Sequence, residues 1–169
     1  MSSSASFLFH ALNVNSFFKK RDDILSVLAH HPRPAVFALC EAKTVANPKY
    51  SLKAPGYTHF NFPHKHNSSG LLIYVQNQHP NRHLKRFLVK EPDGSMLRCI
   101  ELVVTPSLTI RLAVVYVNPT ANSTVVRTMI DTCQRIAEDD PRIPNHNPNH
   151  NPNHNHHNPN FQKPRVVIR

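Results

Sequence analysis

Two apolar runs end on polar side chains that could hold a metal ion. The run from Phe7 to Val14 breaks at Asn13-Val14-Asn15-Ser16, and Ala35-Val36-Phe37-Ala38-Leu39-Cys40 ends on Glu41. A carboxylate at a strand end can bind Mg²⁺ through oxygen, and an amide oxygen beside it can complete the shell or orient a phosphate. Mg²⁺ uses one or two protein carboxylates and takes its other oxygens from water and substrate phosphate, so a lone glutamate is enough. Strand ends are also where loops gather in layered α/β folds. The same residue types serve equally well without chemistry: Asn is a common turn residue after a strand, and a Glu there is often simply solvated. Spacing alone leaves both readings open.

Histidine offers a second kind of ligand. His146, His150, His154, His156 and His157 fall in a segment, 145–160, built only of Asn, His and Pro. Such a tract can bind Zn²⁺, Ni²⁺ or Cu²⁺, or be a repeat expansion in a surface loop, where insertions cost little. His30-His31 and His64-Lys65-His66 read as loop histidines. Cys40, Cys99 and Cys133 are odd in number, far apart and without a Cys-x-x-Cys pair, so neither a zinc knuckle nor a disulfide framework is indicated. Each sits in an apolar run and is expected as a buried free thiol in a reducing compartment.

The elements that must position these groups follow from the hydrophobic pattern. Phe7–Val14 reads as a strand, and Ile24, Leu25, Val27 and Leu28 as one face of a helix with Asp22 and Asp23 in its first turn. His30-His31-Pro32-Arg33-Pro34 ends that helix. Ala35–Cys40 is apolar throughout, as in a strand covered on both faces. Residues 44–56 read as loop. Strands are expected at Tyr57–Phe62 and Leu71–Val75, then a pair at Met96–Val104 and Leu108–Val117. Asn122 or Ser123 can cap a helix to Ala137 that buries Val126, Met129, Ile130, Cys133, Ile136 and Ala137. Segment 145–160 has nothing apolar to bury and is expected to be disordered. Val166-Val167-Ile168 reads as one more strand. The expected organisation is a domain over 1–140, a low-complexity insert over 141–160, and a returning strand over 161–169. Alternating helices and strands indicate an α/β layered fold.

Charge points to a polyanion. Lys and Arg total 20 against 10 Asp and Glu, a formal net charge of +10, which suits nucleic acid. Lys19, Lys20 and Arg21, then Lys65, then Arg82, Lys85 and Arg86 are candidate phosphate contacts, or members of an ordinary solvated basic face. No apolar run is long enough to span a membrane, and the start of the chain lacks the features of a signal peptide. An intracellular protein is expected, with the nucleus a compatible location.

Several segments together resemble the endonuclease/exonuclease/phosphatase superfamily, most closely the endonuclease domain of non-LTR (LINE-type) retrotransposons. Leu12-Asn13-Val14-Asn15-Ser16 resembles its first motif, and Leu39-Cys40-Glu41-Ala42-Lys43 its glutamate motif. Pro55-Gly56-Tyr57 and Ser69-Gly70-Leu71-Leu72-Ile73-Tyr74-Val75 are similar to the following Gly-Tyr element and glycine-led strand. Val115-Tyr116-Val117-Asn118-Pro119-Thr120 is similar to its Tyr-x-x-Pro motif. The resemblance implies a DNase I-like four-layer α/β sandwich, present here in part, with mixed and largely antiparallel sheets flanked by helices. It implies that Glu41 binds Mg²⁺ or Mn²⁺, that Asn13 supports the metal and phosphate, and that Tyr116 hydrogen-bonds the scissile phosphate. Asn15, Asn118, Lys20, Arg21 and Lys65 are the expected nucleic-acid contacts. The implied reaction is hydrolytic nicking of one DNA strand, leaving a 3′-hydroxyl that primes reverse transcription by the rest of a retrotransposon polyprotein.

The chain also departs from that family. Cys40 and Ala42 replace the usual neighbours of the glutamate. The family's later Gly-Asp-Phe-Asn, a further aspartate and a closing Ser-Asp-His have no counterpart here: no Asp-x-Asn exists and no histidine follows an Asp. A fragment, inactive alone and with an apolar face left open, is therefore expected. Two alternatives remain: a non-catalytic nucleic-acid-binding remnant, and a member of the superfamily's phosphatase branch.

Overall fold

The alternating pattern resolves into two sheets and two helices in the computed structural model, which describes residues 7–30, 32–44, 51–64 and 69–138. Lys65, His31, His66, the 145–160 segment and Val166–Ile168 lie outside the described residues, as do the boundaries expected near 140 and 160. The described residues belong to one compact unit, Met1–Asp139.

The first sheet contains β1 (Phe9–Asn13), β2 (Val36–Cys40), β3 (Tyr57–Pro63) and β4 (Gly70–Gln76), in the order β1-β2-β4-β3. β1 and β2 are parallel, which requires a crossover; α1 (Arg21–Ala29) supplies it. The other pairings are antiparallel. β2 and β4 are central strands with both faces covered, which is why their residues are apolar at nearly every position. Successive side chains point to opposite faces. Phe37, Leu39, Leu72 and Tyr74 pack with Val14, Phe17, Ile24 and Leu28 on the α1 side. Val36, Ala38, Leu71, Ile73 and Val75 meet Met96, Ile100, Leu102, Leu112 and Val114 of the second sheet.

That second sheet is organised around β7 (Met96–Thr105). β8 (Leu108–Tyr116) pairs along one of its edges, and the short β5 (Asn81–His83) and β6 (Val89–Lys90) share the other. On its far face Leu97 and Cys99 receive Met129 and Ile136 of α2 (Ser123–Glu138). Asn122 is the residue that caps α2, its Oδ1 accepting the Val125 N–H at 3.0 Å.

Three expectations need correction. Val126 and Ile130 are 37% and 53% exposed, not buried, and Thr132 is buried in the helix face instead. The apolar stripe on α2 is wider than its contact with the sheet, so half of it opens onto a groove shared with Val115 and Val117. Ala137, on the same groove, is exposed, and on α1 Val27 is 43% exposed. Of the three cysteines, only Cys99 is fully buried; Cys40 and Cys133 are half-buried.

Charged groups inside the fold are paired or braced. Glu101 on β7 accepts from Arg82 of β5 at 2.7 Å and from Arg111 of β8 at 3.1 Å, which ties three strands together. Burial alone would raise its carboxyl; the hydrogen bonds and charges of Arg111 and Arg82 outweigh that and hold it below the usual carboxylate range. Arg98, only 4% exposed, donates to the carbonyls of Val89 and Leu97 and lies over the Phe62 ring. Among the described residues, no helix is long and apolar enough to cross a membrane.

Candidate metal site at two strand ends

Parallel pairing of β1 with β2 sets Asn13 opposite Cys40, so both strands end together. Their chains then continue side by side as loops. Val14 N–H donates to Cys40 O at 3.1 Å, Ser16 N–H to Glu41 O at 2.9 Å and Phe17 N–H to Ala42 O at 2.8 Å. The backbone here is strained: Asn15, Ser16, Glu41 and Lys43 have φ of 46°, 113°, 51° and 50°. No other non-glycine residue among the described residues has positive φ. Asn tolerates this region; for the other side chains it costs on the order of 1–3 kcal/mol each. Val14, Phe17 and Ala42, each 0% exposed, anchor the two loops and sustain the strain. Strain of this kind gathers where structure serves a site.

The Glu41 carboxylate stands at the centre. Its Oε1 accepts the Asn13 amide Nδ2 at 2.8 Å and the Tyr116 hydroxyl at 3.2 Å. One donor comes from the neighbouring strand end and the other from the opposite sheet, at the end of β8. Both donors are neutral, and Oε2 makes no hydrogen bond among the described residues. None of the ion pairs formed there involves Glu41. Burial, then the charge of Glu41 and the hydrogen bond to it, push the Tyr116 phenol above its ordinary value of 10.0, so it stays a donor. Burial and the Glu41 charge likewise push the Cys40 thiol up to about 11. Tyr116 and Cys40, the titratable groups beside the carboxylate, thus stay neutral.

The other sequence-derived candidates divide. Asn13 turns its nitrogen to Glu41, while its Oδ1 accepts the Asn15 N–H at 3.2 Å; it orients the carboxylate. Asn15 Oδ1 accepts the Lys43 ammonium at 2.5 Å. Asn118 follows β8, and its amide is engaged within its own loop: Nδ2 donates to Asp93 O at 2.6 Å, and Oδ1 accepts from Thr120 N–H and Oγ1 at 3.0 and 2.9 Å. Lys20 is exposed in a 3-10 turn, and Arg21, at the start of α1, pairs with Asp22 at 3.2 Å. Neither hydrogen-bonds Glu41. Among the loop histidines, His30 Nδ1 lies 2.6 Å from Ser26 O, and His64 Nε2 lies 3.1 Å from Glu91 O; both serve local structure.

Two neighbours were missed from sequence. Lys43 reaches Asn15 only because the loops after β1 and β2 run in register. Asp93, in the β6–β7 turn, acts on Tyr116 through its charge. The Asp93-Gly94 pair was the available signal, since such pairs mark tight turns, but nothing local says what the turn faces.

Among the described residues, no three His, Cys, Asp or Glu converge on one point. A hard octahedral cation does not require that, because it keeps several waters and accepts a single protein carboxylate. A carboxylate oriented by neutral donors, with one oxygen left open, fits Mg²⁺ or Mn²⁺. A scan against models of known protein families found no match, and a search of curated proteins found none.

Proposed function

We propose that these residues form one half of a divalent-metal site for phosphodiester hydrolysis in DNA. In this reading the two sheets and two helices are the front part of a DNase I-like four-layer α/β sandwich, of the endonuclease/exonuclease/phosphatase type. The retrotransposon endonuclease domain is the branch it most resembles. One observation carries the proposal: the Glu41 carboxylate is held by Asn13 and Tyr116 from two sheets, on strained backbone, with one oxygen left open.

Glu41 would hold the metal, and Asn13 would fix the carboxylate toward it. Mg²⁺ or Mn²⁺ bound there would offset charge developing on phosphate and leaving-group oxygens. Tyr116, protonated at neutral pH, can turn its hydroxyl from Glu41 to a phosphate oxygen. Lys43, Lys20 and Arg21 add positive charge at and beside the loops, and the net charge of +10 draws a polyanion toward them. The product would be a nick with a 3′-hydroxyl, available to a reverse transcriptase in the same polyprotein.

These 169 residues contain no Asp-x-Asn and no Asp-His pair, the motifs that the resemblance would lead one to expect for activating water. The polypeptide alone is therefore expected to bind metal and DNA without turnover, since cooperating catalytic groups fail together. The test is supercoiled DNA with Mg²⁺: DNA is bound at low salt and not nicked. Nicking that Glu41→Ala abolishes would overturn the inactivity, and absence of any DNA binding would overturn the substrate. The positive charge also favours a second reading, a nucleic-acid-binding remnant. Its signature is salt-steep DNA binding that Glu41→Gln and Mn²⁺ leave unchanged. Phosphomonoester binding in preference to DNA would favour the phosphatase branch.

A further inference from the structure

Glu41 ends a strand of one sheet and Tyr116 ends a strand of the other, so their hydrogen bond depends on the spacing between the sheets at that end. We infer that Asp93 and Ser95, in the β6–β7 turn, are positioning residues that set this spacing and so hold Tyr116 on Glu41. The inference rests on the reading of Glu41 as a metal ligand for its functional meaning, though not for its geometry.

The turn is joined to both sheets through buried atoms. On the β8 side, Ser95 is 0% exposed, and its Oγ accepts the Asn118 N–H at 2.9 Å while donating to Asp93 Oδ2 at 3.0 Å. Asp93 Oδ1 accepts the Ser95 N–H at 2.8 Å, and Asp93 O accepts Asn118 Nδ2 at 2.6 Å. Tyr116 is the last β8 residue paired with β7, opposite Met96. The Ser95 side chain therefore extends the ladder past Tyr116 and fixes where β8 ends.

On the other side, the turn presses against the first sheet. Gly94 has φ +97, and a Cβ there would lie 2.8 Å from Ser69 Oγ, so the turn's backbone lies directly against the Ser69 side chain. His64 Nε2 lies 3.1 Å from Glu91 O. Ser69 precedes Gly70, whose carbonyl accepts the Ala42 N–H at 3.1 Å, one residue after Glu41. A continuous path thus runs from Asn118 through Ser95, Asp93 and Gly94 to Ser69, Gly70 and Ala42. Ser95, Ser69 and Ala42 are 0%, 2% and 0% exposed, while Asp93 and Asn118 are half-buried. Packed, hydrogen-bonded neighbours of this kind orient ligands without touching the ion.

The experiment uses the full chain labelled with 3-fluorotyrosine, with the Tyr116 resonance assigned by Tyr116→Phe. In Ser95→Ala, the Tyr116 fluorine signal should move toward the position it takes in Glu41→Ala, where the acceptor is gone, while those of buried Tyr57 and Tyr74 stay put. Mn²⁺ affinity, followed by water-proton relaxation, should fall roughly 10-fold with Glu41 intact. Asp93→Asn, which keeps an acceptor for the Ser95 N–H, should be milder than Asp93→Ala. If Ser95→Ala does not fold, Asn118→Ala decides, because it removes only the link to Asp93 O and the loop's own Thr120 contacts. A Tyr116 signal unchanged from wild type in either folded variant overturns the inference. If the wild type binds no Mn²⁺, the metal reading fails, while the fluorine shifts still test the positioning.

Discussion

Replacing Glu41 by glycine should leave the protein more stable than replacing it by alanine, the reverse of the order seen in regular structure. Both substitutions remove the hydrogen bonds from Asn13 and Tyr116, so that loss cancels in the comparison. They differ in backbone. Residue 41 sits at φ 51°, where a Cβ costs about 1–2 kcal/mol and glycine costs nothing. Against this, glycine gives the unfolded chain extra freedom, worth about 0.5–1 kcal/mol. The difference leaves Glu41→Gly ahead of Glu41→Ala by about 1 kcal/mol, or roughly 3 °C in melting temperature for a chain of this size. Parallel urea melts of the two variants, with matching m-values, make the comparison. A Glu41→Ala protein as stable as Glu41→Gly, or more so, would refute the claim that the backbone at the site is held under strain for the sake of the carboxylate.

Other consequences follow from the same structure. Glu101→Gln should cost about 3 kcal/mol, because it removes the charge that pairs with the buried Arg111 guanidinium. The Glu101 carboxyl is held below its ordinary value of 4.5, so its contribution is present above that pH and lost as pH falls through the lower folded value. Acid melts of wild type should lose stability in that window, and Glu101→Gln should show a shallower acid slope. Asn122→Ala, which removes the α2 cap, should cost about 1 kcal/mol, measured by thermal unfolding. Val126→Gln and Ile130→Gln, which alter the open half of the α2 stripe, should change stability by less than about 0.5 kcal/mol and reduce self-association in sedimentation experiments.

Much of the fold was legible because burial on two faces leaves a plain mark. Ala35–Cys40 and Leu71–Val75 read as continuous apolar runs, and they are the two central strands of the first sheet. The α2 pattern located the helix but misplaced its exposed half, since periodicity gives a stripe and not the width of the surface it meets. β5 and β6 could not be read: Asn81–His83 and Val89–Lys90 carry no pattern of their own and are strands only by pairing with β7. At the site, Asn13 and Glu41 were legible as strand ends and Tyr116 through the resemblance of Tyr116-Val117-Asn118-Pro119 to a Tyr-x-x-Pro motif, and the structure brings Asn13 and Tyr116 within hydrogen-bond reach of Glu41. Lys43, Asp93 and Ser95 were not, because their contacts depend on how two loops align and how closely two sheets approach.

The central claim is that Glu41 holds a hard divalent cation. Water-proton relaxation of the full chain titrated with Mn²⁺, in wild type, Glu41→Gln and Glu101→Gln, addresses it directly. Glutamine at position 41 keeps the size and a carbonyl acceptor for Asn13 and Tyr116, so the comparison isolates the charge. Any Mn²⁺ held by His146, His150, His154, His156 or His157 is common to all three proteins. One saturable Mn²⁺ site should be present in wild type and Glu101→Gln and missing from Glu41→Gln. Identical titrations for wild type and Glu41→Gln would contradict the account.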